Sequence, residues 1–144
     1  MPVMFKGREV NVGDTLWGSR RYGFEKPTED TLAIPFKVSE TYKDGFSAKP
    51  QGETPWREAY IEDSRRWDRE SFHWDKEDAK EDSRRCAIIS DLDDVTDRLR
   101  RVLESRREPL WLLPAEKMRP AYDAMAALLL AVADAEQEKE QADA

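Results

Sequence analysis

Residues 34–45 read IPFKVSETYKDG, and this stretch decides the fold. Ile34, Phe36 and Val38 alternate with Pro35 and Lys37, a period of two that places three apolar side chains on one face of a strand. Tyr42 leads into Asp44-Gly45, a strong hairpin signal. Pro35 has no N–H to give to a ladder, which marks the run as an edge strand or as the site of a bulge.

The same pattern extends toward the N-terminus. Val3 and Phe5 alternate, Lys6-Gly7 reads as a tight turn, and Val10 and Val12 resume the alternation. Gly13-Asp14 turns the chain again into Thr15-Leu16-Trp17. Four or five short strands joined by glycine turns predict a small curled antiparallel sheet, for which an SH3-like barrel is one candidate. Residues 47–56 (SAKPQGETPW) read as a loop, so residues 1–56 form the expected β-rich domain.

Residues 57–89 are nearly all charge, with Tyr60, Trp67, Phe72 and Trp74 interleaved. Tyr60 and Trp67 fit one helix face, and Phe72 and Trp74 fit one strand face, so helix and strand both remain open. From Ser90 the pattern is helical: Leu92, Val95, Leu99, Val102 and Leu103 form an apolar stripe. Ser90 with Asp93 resembles a capping box. Arg98, Arg100, Arg101, Arg106 and Arg107 gather where cations favour the helix dipole. Pro109 ends this helix, and Leu110 to Leu113 connect it to a last helix over 120–137, with Pro120 in its first turn. Tyr122, Met125, Leu128, Leu129 and Val132 form the expected buried side of that helix. The helical region spans 90–138, and 139–144 is a frayed tail. The fold class expected is therefore α+β, a small N-terminal sheet followed by C-terminal helices.

Composition narrows the functional classes. Charged residues make up 38% of the 144, against a usual ~25%. Cys86 stands alone, which fits a reducing compartment and excludes an internal disulfide. Met1 to Val10 contain no long apolar segment, and the longest apolar run, Ala124 to Ala133, falls short of the ~20 residues a span needs. A cytoplasmic protein without a membrane partner is expected. Net charge is −7, and residues 120–144 carry one basic and six acidic groups. No basic stripe marks a nucleic-acid footprint, so direct nucleic-acid binding is not expected.

Three motifs invite chemistry. CAIISDLDDVT, residues 86–96, resembles the first motif of haloacid-dehalogenase-type phosphohydrolases. That resemblance would make Asp91 a nucleophile and Asp93 a general acid/base, assisted by Mg²⁺. The competing reading is an Asp-rich first helical turn, and the 51 residues after Asp93 lack the strands this enzyme needs. Ser-Arg-Arg occurs at 19–21, 64–66, 83–85 and 105–107; surface ion pairs explain it better than phosphate grips, unless two copies meet. Trp67, Phe72, His73 and Trp74 lie among Arg65, Arg66, Arg69 and Lys76, a composition suited to protein interfaces or to stacking. Core packing is the competing reading for both tryptophans. His73 is the one histidine, which excludes a multi-His metal site and disfavours a Ser-His-Asp arrangement.

KGREVNVGDTLW (6–17), RRYG (20–23), IPFKV (34–38) and TYKDG (41–45) together resemble a pattern in small accessory proteins of tailed bacteriophages and prophages, over residues 6–60. One residue rather than two separates Tyr42 from Asp44 in the last piece. The resemblance implies a protein that binds and blocks host machinery, such as a restriction or CRISPR defence system, and carries over no catalytic residue. The expected function is thus a non-enzymatic binding protein without cofactor or metal, acting on a host protein through Trp56, Trp67, Trp74, Arg65, Arg66 and Arg69. The alternative is a small-molecule or nucleotide sequestering protein lined by Arg-Arg pairs and aromatics. Homo-oligomerisation through the 90–107 stripe is compatible with either.

Overall fold

The structure, a computed structural model, describes residues 2–20, 28–52, 57–62, 66–105 and 108–143, with backbone alone at 66–68. The Lys6-Gly7 turn forms as expected: both residues have positive φ, 45° and 79°, the conformation a two-residue hairpin loop demands. It joins β1 (Met4–Phe5) to β2 (Arg8–Glu9), pairing Phe5 with Arg8. Gly13, at φ 96°, turns the chain into β3 (Thr15–Ser19). β4 (Ala33–Thr41), β5 (Gly45–Pro50) and β6 (Ala59–Glu62) follow, then α1 (Arg66–Ser71) and β7 (Phe72–His73). The five longer-range strands form one antiparallel sheet in the order β6-β5-β4-β3-β7.

The predicted strand over 34–38 exists, but it is central and not an edge. Pro35 is tolerated because its carbonyl accepts the Gln51 N–H at 2.9 Å, just past the end of β5. In an antiparallel ladder a residue's N and O face the same neighbour, so the missing donor points where that neighbour runs out. The irregularity falls later, between Val38 and Glu40, and a bulge there increases local twist and bends the strand. Residues 47–50, expected as loop, complete β5. The reversal after β4 centres on Lys43-Asp44, with Tyr42 N–H donating to Gly45 O at 2.8 Å. Gly45 serves a different need: a Cβ there would lie 2.3 Å from the Ile61 carbonyl.

One face of the sheet builds the core. Leu16, Phe36, Val38, Phe46, Ala48, Ile61 and Phe72 pack with Phe5 and Val10 of the hairpin and its exit. Phe36 lies over Gly18 and meets Phe72 edge-on at 5.0 Å. Phe5, Phe36 and Phe46 are each almost wholly buried, and truncating such a ring costs about 3–5 kcal/mol.

α2 (Lys76–Ser105) begins fourteen residues before the expected Ser90 start. Asp75 caps it, its Oδ1 accepting the Glu77 N–H at 2.9 Å. The first ten residues of α2 bury only Ala79, Asp82 and Ser83. They show no apolar stripe, which is why this part read as undecided charge. α3 (Glu108–Trp111) and α4 (Ala115–Asp143) follow. α4 starts earlier and ends later than expected, with Pro120 inside the helix. The chain divides into two compact units, Met1–Asp94 and Val95–Ala144, so the β-unit takes in residues 57–73 and the start of α2. No helix among the described residues is long and apolar enough to cross a membrane.

Candidate functional site

Of the residues expected to form an interface, only Trp74 and Arg69 have described side chains, and both lie beside Phe5. Trp56 and Arg65 lie outside those residues, and only the backbone of Arg66 and Trp67 is described, in α1. Trp74 packs against the core: its Nε1 donates to Phe5 O at 2.8 Å and its ring meets Phe5 edge-on. The Arg8 guanidinium stacks on its outer side, 4.4 Å from the ring centre. Arg69 lies 5.9 Å from the Phe5 ring. Cation–π packing of this kind steadies the unit's surface.

Two Ser-Arg-Arg copies do meet, through their serines. Ser19 Oγ donates toward Asp82 Oδ2 at 2.5 Å and Ser71 O at 3.0 Å. Ser83 Oγ accepts the Arg20 N–H at 2.7 Å and donates toward Leu32 O and Ala79 O. The arginines of the second copy pair with carboxylates, Arg84 with Glu29 and Glu81 and Arg85 with Asp82, while Arg20 of the first donates from Nη1 to Thr31 Oγ1 at 3.3 Å and its buried Nε has no hydrogen-bond partner. The two copies thus form a bolt that holds α2 on the sheet, not a phosphate grip. Arg21, Ser64, Arg65, Arg106 and Arg107 of the four copies lie outside the described residues.

His73 joins the same cluster, with Nε2 3.3 Å from Asp82 Oδ2 and Nδ1 3.4 Å from Lys6 Nζ. Burial and the Lys6 ammonium hold its pKa below the ordinary 6.5, against the opposing pull of Asp82. A serine, a histidine and an aspartate are therefore in contact, but in the wrong order for nucleophilic catalysis. The carboxylate sits between hydroxyl and imidazole, so the Ser19 hydroxyl donates to Asp82 and not to the His73 imidazole that would activate it. Ser19 is also buried, out of a substrate's reach. Sequence reasoning missed Asp82 and Ser19, and the one available signal was the Glu-Asp preceding Ser83.

The phosphohydrolase reading fails on geometry. Asp91 and Asp93 lie mid-helix in α2, two residues apart, which on a helix is about 200° of rotation. Their carboxylates leave opposite sides and cannot share one phosphate. Their mid-helix position also overturns the first-turn reading. Among the described residues, no three His, Cys, Asp or Glu groups are placed to hold a metal ion.

What the structure leaves open is apolar helix surface. The expected buried side of α4 is not buried: no residue of α4 is. Met118, Tyr122, Met125, Leu129 and Val132 recur at intervals of four and three, and Leu129 is 71% exposed. Spacing of this kind makes one stripe suited to receiving another helix. A hollow of about 290 Å³ lined by Leu103, Leu110, Trp111 and Met118 opens at the stripe's N-terminal end. Beyond its C-terminal end α4 carries Asp134, Glu136, Glu138, Glu140 and Asp143.

α2 has a second stripe: Ile88, Leu92, Val95, Leu99 and Val102, again spaced four and three. Ile88 and Leu92 each follow a seated residue, Ala79 and Ser83, by nine positions, about 180° around the helix. The stripe therefore faces away from the side by which α2 is bolted to the sheet. No protein-family model matches the chain, and no curated protein or solved structure matches it either.

Proposed function

We propose that the protein is a non-enzymatic binding protein whose α4 receives a basic, amphipathic segment of another protein. The observation that carries this reading is the exposed apolar stripe of α4. Contiguous exposed apolar surface of this size marks interaction sites in soluble proteins, and a helix draws most of its stability from packing such a face. The acidic groups from Asp134 to Asp143 supply the charge preference, favouring a partner with Lys or Arg beyond its apolar anchors. The phage-type pattern in residues 6–60 supports a host protein as that partner, with a defence component as the first class to test.

The nucleotide-sequestering alternative lacks support from the geometry. Arg84 and Arg85 of the second meeting copy are paired with carboxylates, and the described hollow is lined by apolar side chains alone. The test is affinity capture from host lysate with the intact protein and with Tyr122→Glu and Leu129→Glu variants. A defined partner retained by the intact protein and lost with both variants supports the reading. A partner held equally by all three proteins overturns it.

A further inference from the structure

We infer that His73 is a one-proton latch between the tip of the β1–β2 hairpin and the rest of the β-unit, fastened by the neutral ring and released at the hairpin when the ring gains a proton. Every residue involved belongs to the unit Met1–Asp94, and the inference stands independently of the partner-binding reading of α4.

The ring sits between a cation and an anion. An ammonium offers three donors and no acceptor, so His73 Nδ1, 3.4 Å from Lys6 Nζ, can only accept. That assigns the proton of the neutral ring to Nε2, where Asp82 Oδ2 lies 3.3 Å away as its acceptor. A second proton then has one place to go, Nδ1. There it removes the lone pair that receives Lys6 and sets an imidazolium against an ammonium. On the other side it strengthens the bond from Nε2–H to Asp82, because both partners are then charged. One proton therefore loosens the hairpin side and tightens the α2 side.

The hairpin is built to respond. Its ladder pairs Met4 with Glu9 and Phe5 with Arg8, and it is separate from the five-stranded sheet. Lys6 holds φ at 45°, a conformation unfavourable for a residue with a side chain. Its ammonium ties the turn to β7 by donating to Phe72 O at 2.6 Å. That carbonyl is adjacent in the chain to the ring, so repulsion from an imidazolium acts on this bond too. The base of the hairpin has other anchors: Trp74 Nε1 donates to Phe5 O and Val10 N–H to Val3 O, both at 2.8 Å. The tip is thus freed while Phe5 stays in the core.

Burial and then the Lys6 ammonium hold the His73 pKa below 6.5, against the pull of Asp82 and Asp78 from α2. Arg85 of α2 lies 3.6 Å from the other oxygen of Asp82. Across the ladder in β3 stands Trp17, with Lys76 Nζ 5.1 Å from its ring centre. α1 leads into β7, and its Arg69 is turned to the Phe5 ring.

The experiment is nuclear magnetic resonance of the ¹⁵N-labelled full chain, whose single histidine gives ring signals that need no assignment. At about pH 7.5 the ring should carry its proton on Nε2. Between about pH 7 and 5 the ¹H–¹⁵N NOE of the Gly7 amide should fall as His73 titrates. The Arg20 amide, which donates to Ser83 Oγ at 2.7 Å and reports the seating of α2, should not change. Lys6→Met should raise the His73 pKa. His73→Gln, with an acceptor and a donor but no titration, should make the Gly7 NOE independent of pH. Circular dichroism checks that both variants are folded, and the tautomer and titration of the intact protein are decisive even where a variant is not. A ring proton on Nδ1 would overturn the inference, as would a His73 pKa that Lys6→Met leaves in place. So would a pH-dependent Gly7 NOE that persists in His73→Gln, or a loss of order at Gly7 and Arg20 together.

Discussion

Replacing Asp82 by alanine removes the acceptor on which the seating of α2 turns. Asp82 is 2% exposed, takes the Ser19 hydroxyl at 2.5 Å and lies 3.3 Å from His73 Nε2. A hydrogen bond to a charged acceptor contributes about 1.5–3 kcal/mol, and no buried charge is stranded, because His73 has a lowered pKa and Arg85 is mostly exposed. Two offsets apply. Ser19 keeps Ser71 O as an acceptor at 3.0 Å, and the carboxylate no longer has to be desolvated. A net loss of about 2 kcal/mol follows. For a unit of this size the urea m-value is about 1–2 kcal/mol/M, so the midpoint should fall by about 1–2 M. Urea unfolding followed through the fluorescence of Trp17 and Trp74 measures it. The control is Asp93→Ala, exposed on the same helix, expected within about 0.5 kcal/mol of the parent. Equal losses for the two variants, or none for Asp82→Ala, would refute the bolt.

His73 sets a pH dependence. Its folded pKa lies below 6.5, so the unfolded chain binds the proton more readily and stability is fully present above about pH 6.5. It should be lost as pH falls from there through the folded value, and His73→Gln should flatten that slope in urea midpoints measured between about pH 7 and 5. Gly45→Ala forces a Cβ against the Ile61 carbonyl and should destabilise by about 1–3 kcal/mol. Lys43→Ala in the same turn should stay within about 0.5 kcal/mol, read by the same unfolding assay. Pro120→Ala returns an N–H to the interior of α4 and should raise helical ellipticity at 222 nm, stabilising α4 by about 1–3 kcal/mol; unchanged ellipticity would contradict the helix through Pro120.

Much of the β-unit was legible because its signals are local. Lys6-Gly7 needs positive φ, Gly13 turns the chain, and Ile34, Phe36 and Val38 alternate in a half-buried strand. Pro35 misled because proline excludes a donor on one side only, and nothing local reveals that β5 ends there. The start of α2 was illegible for a similar reason. Ala79, Asp82 and Ser83 are small or polar, and their burial depends on Ser19 and Arg20 more than sixty residues earlier in the chain. Ser90 looked like a helix start because a cap and a mid-helix serine share the same residue type. The apolar stripes of α2 and α4 were visible, but periodicity alone does not tell a face buried within the chain from one offered outward. The tryptophan-bearing middle drew attention by composition, yet the one tryptophan there whose side chain is described, Trp74, packs on Phe5.

The central claim is that α4 is open in the free protein and closed by a different protein in use. Site-specific photo-crosslinking in host cells tests it most directly, with the reactive group at position 129 of α4 and, for comparison, at Lys43 of the β4–β5 turn. A single host protein captured from position 129 but not from 43, and lost when Tyr122 is also changed to Glu, is the predicted result. Capture only of a second copy of this chain from position 129, or equal capture from both positions, would contradict it.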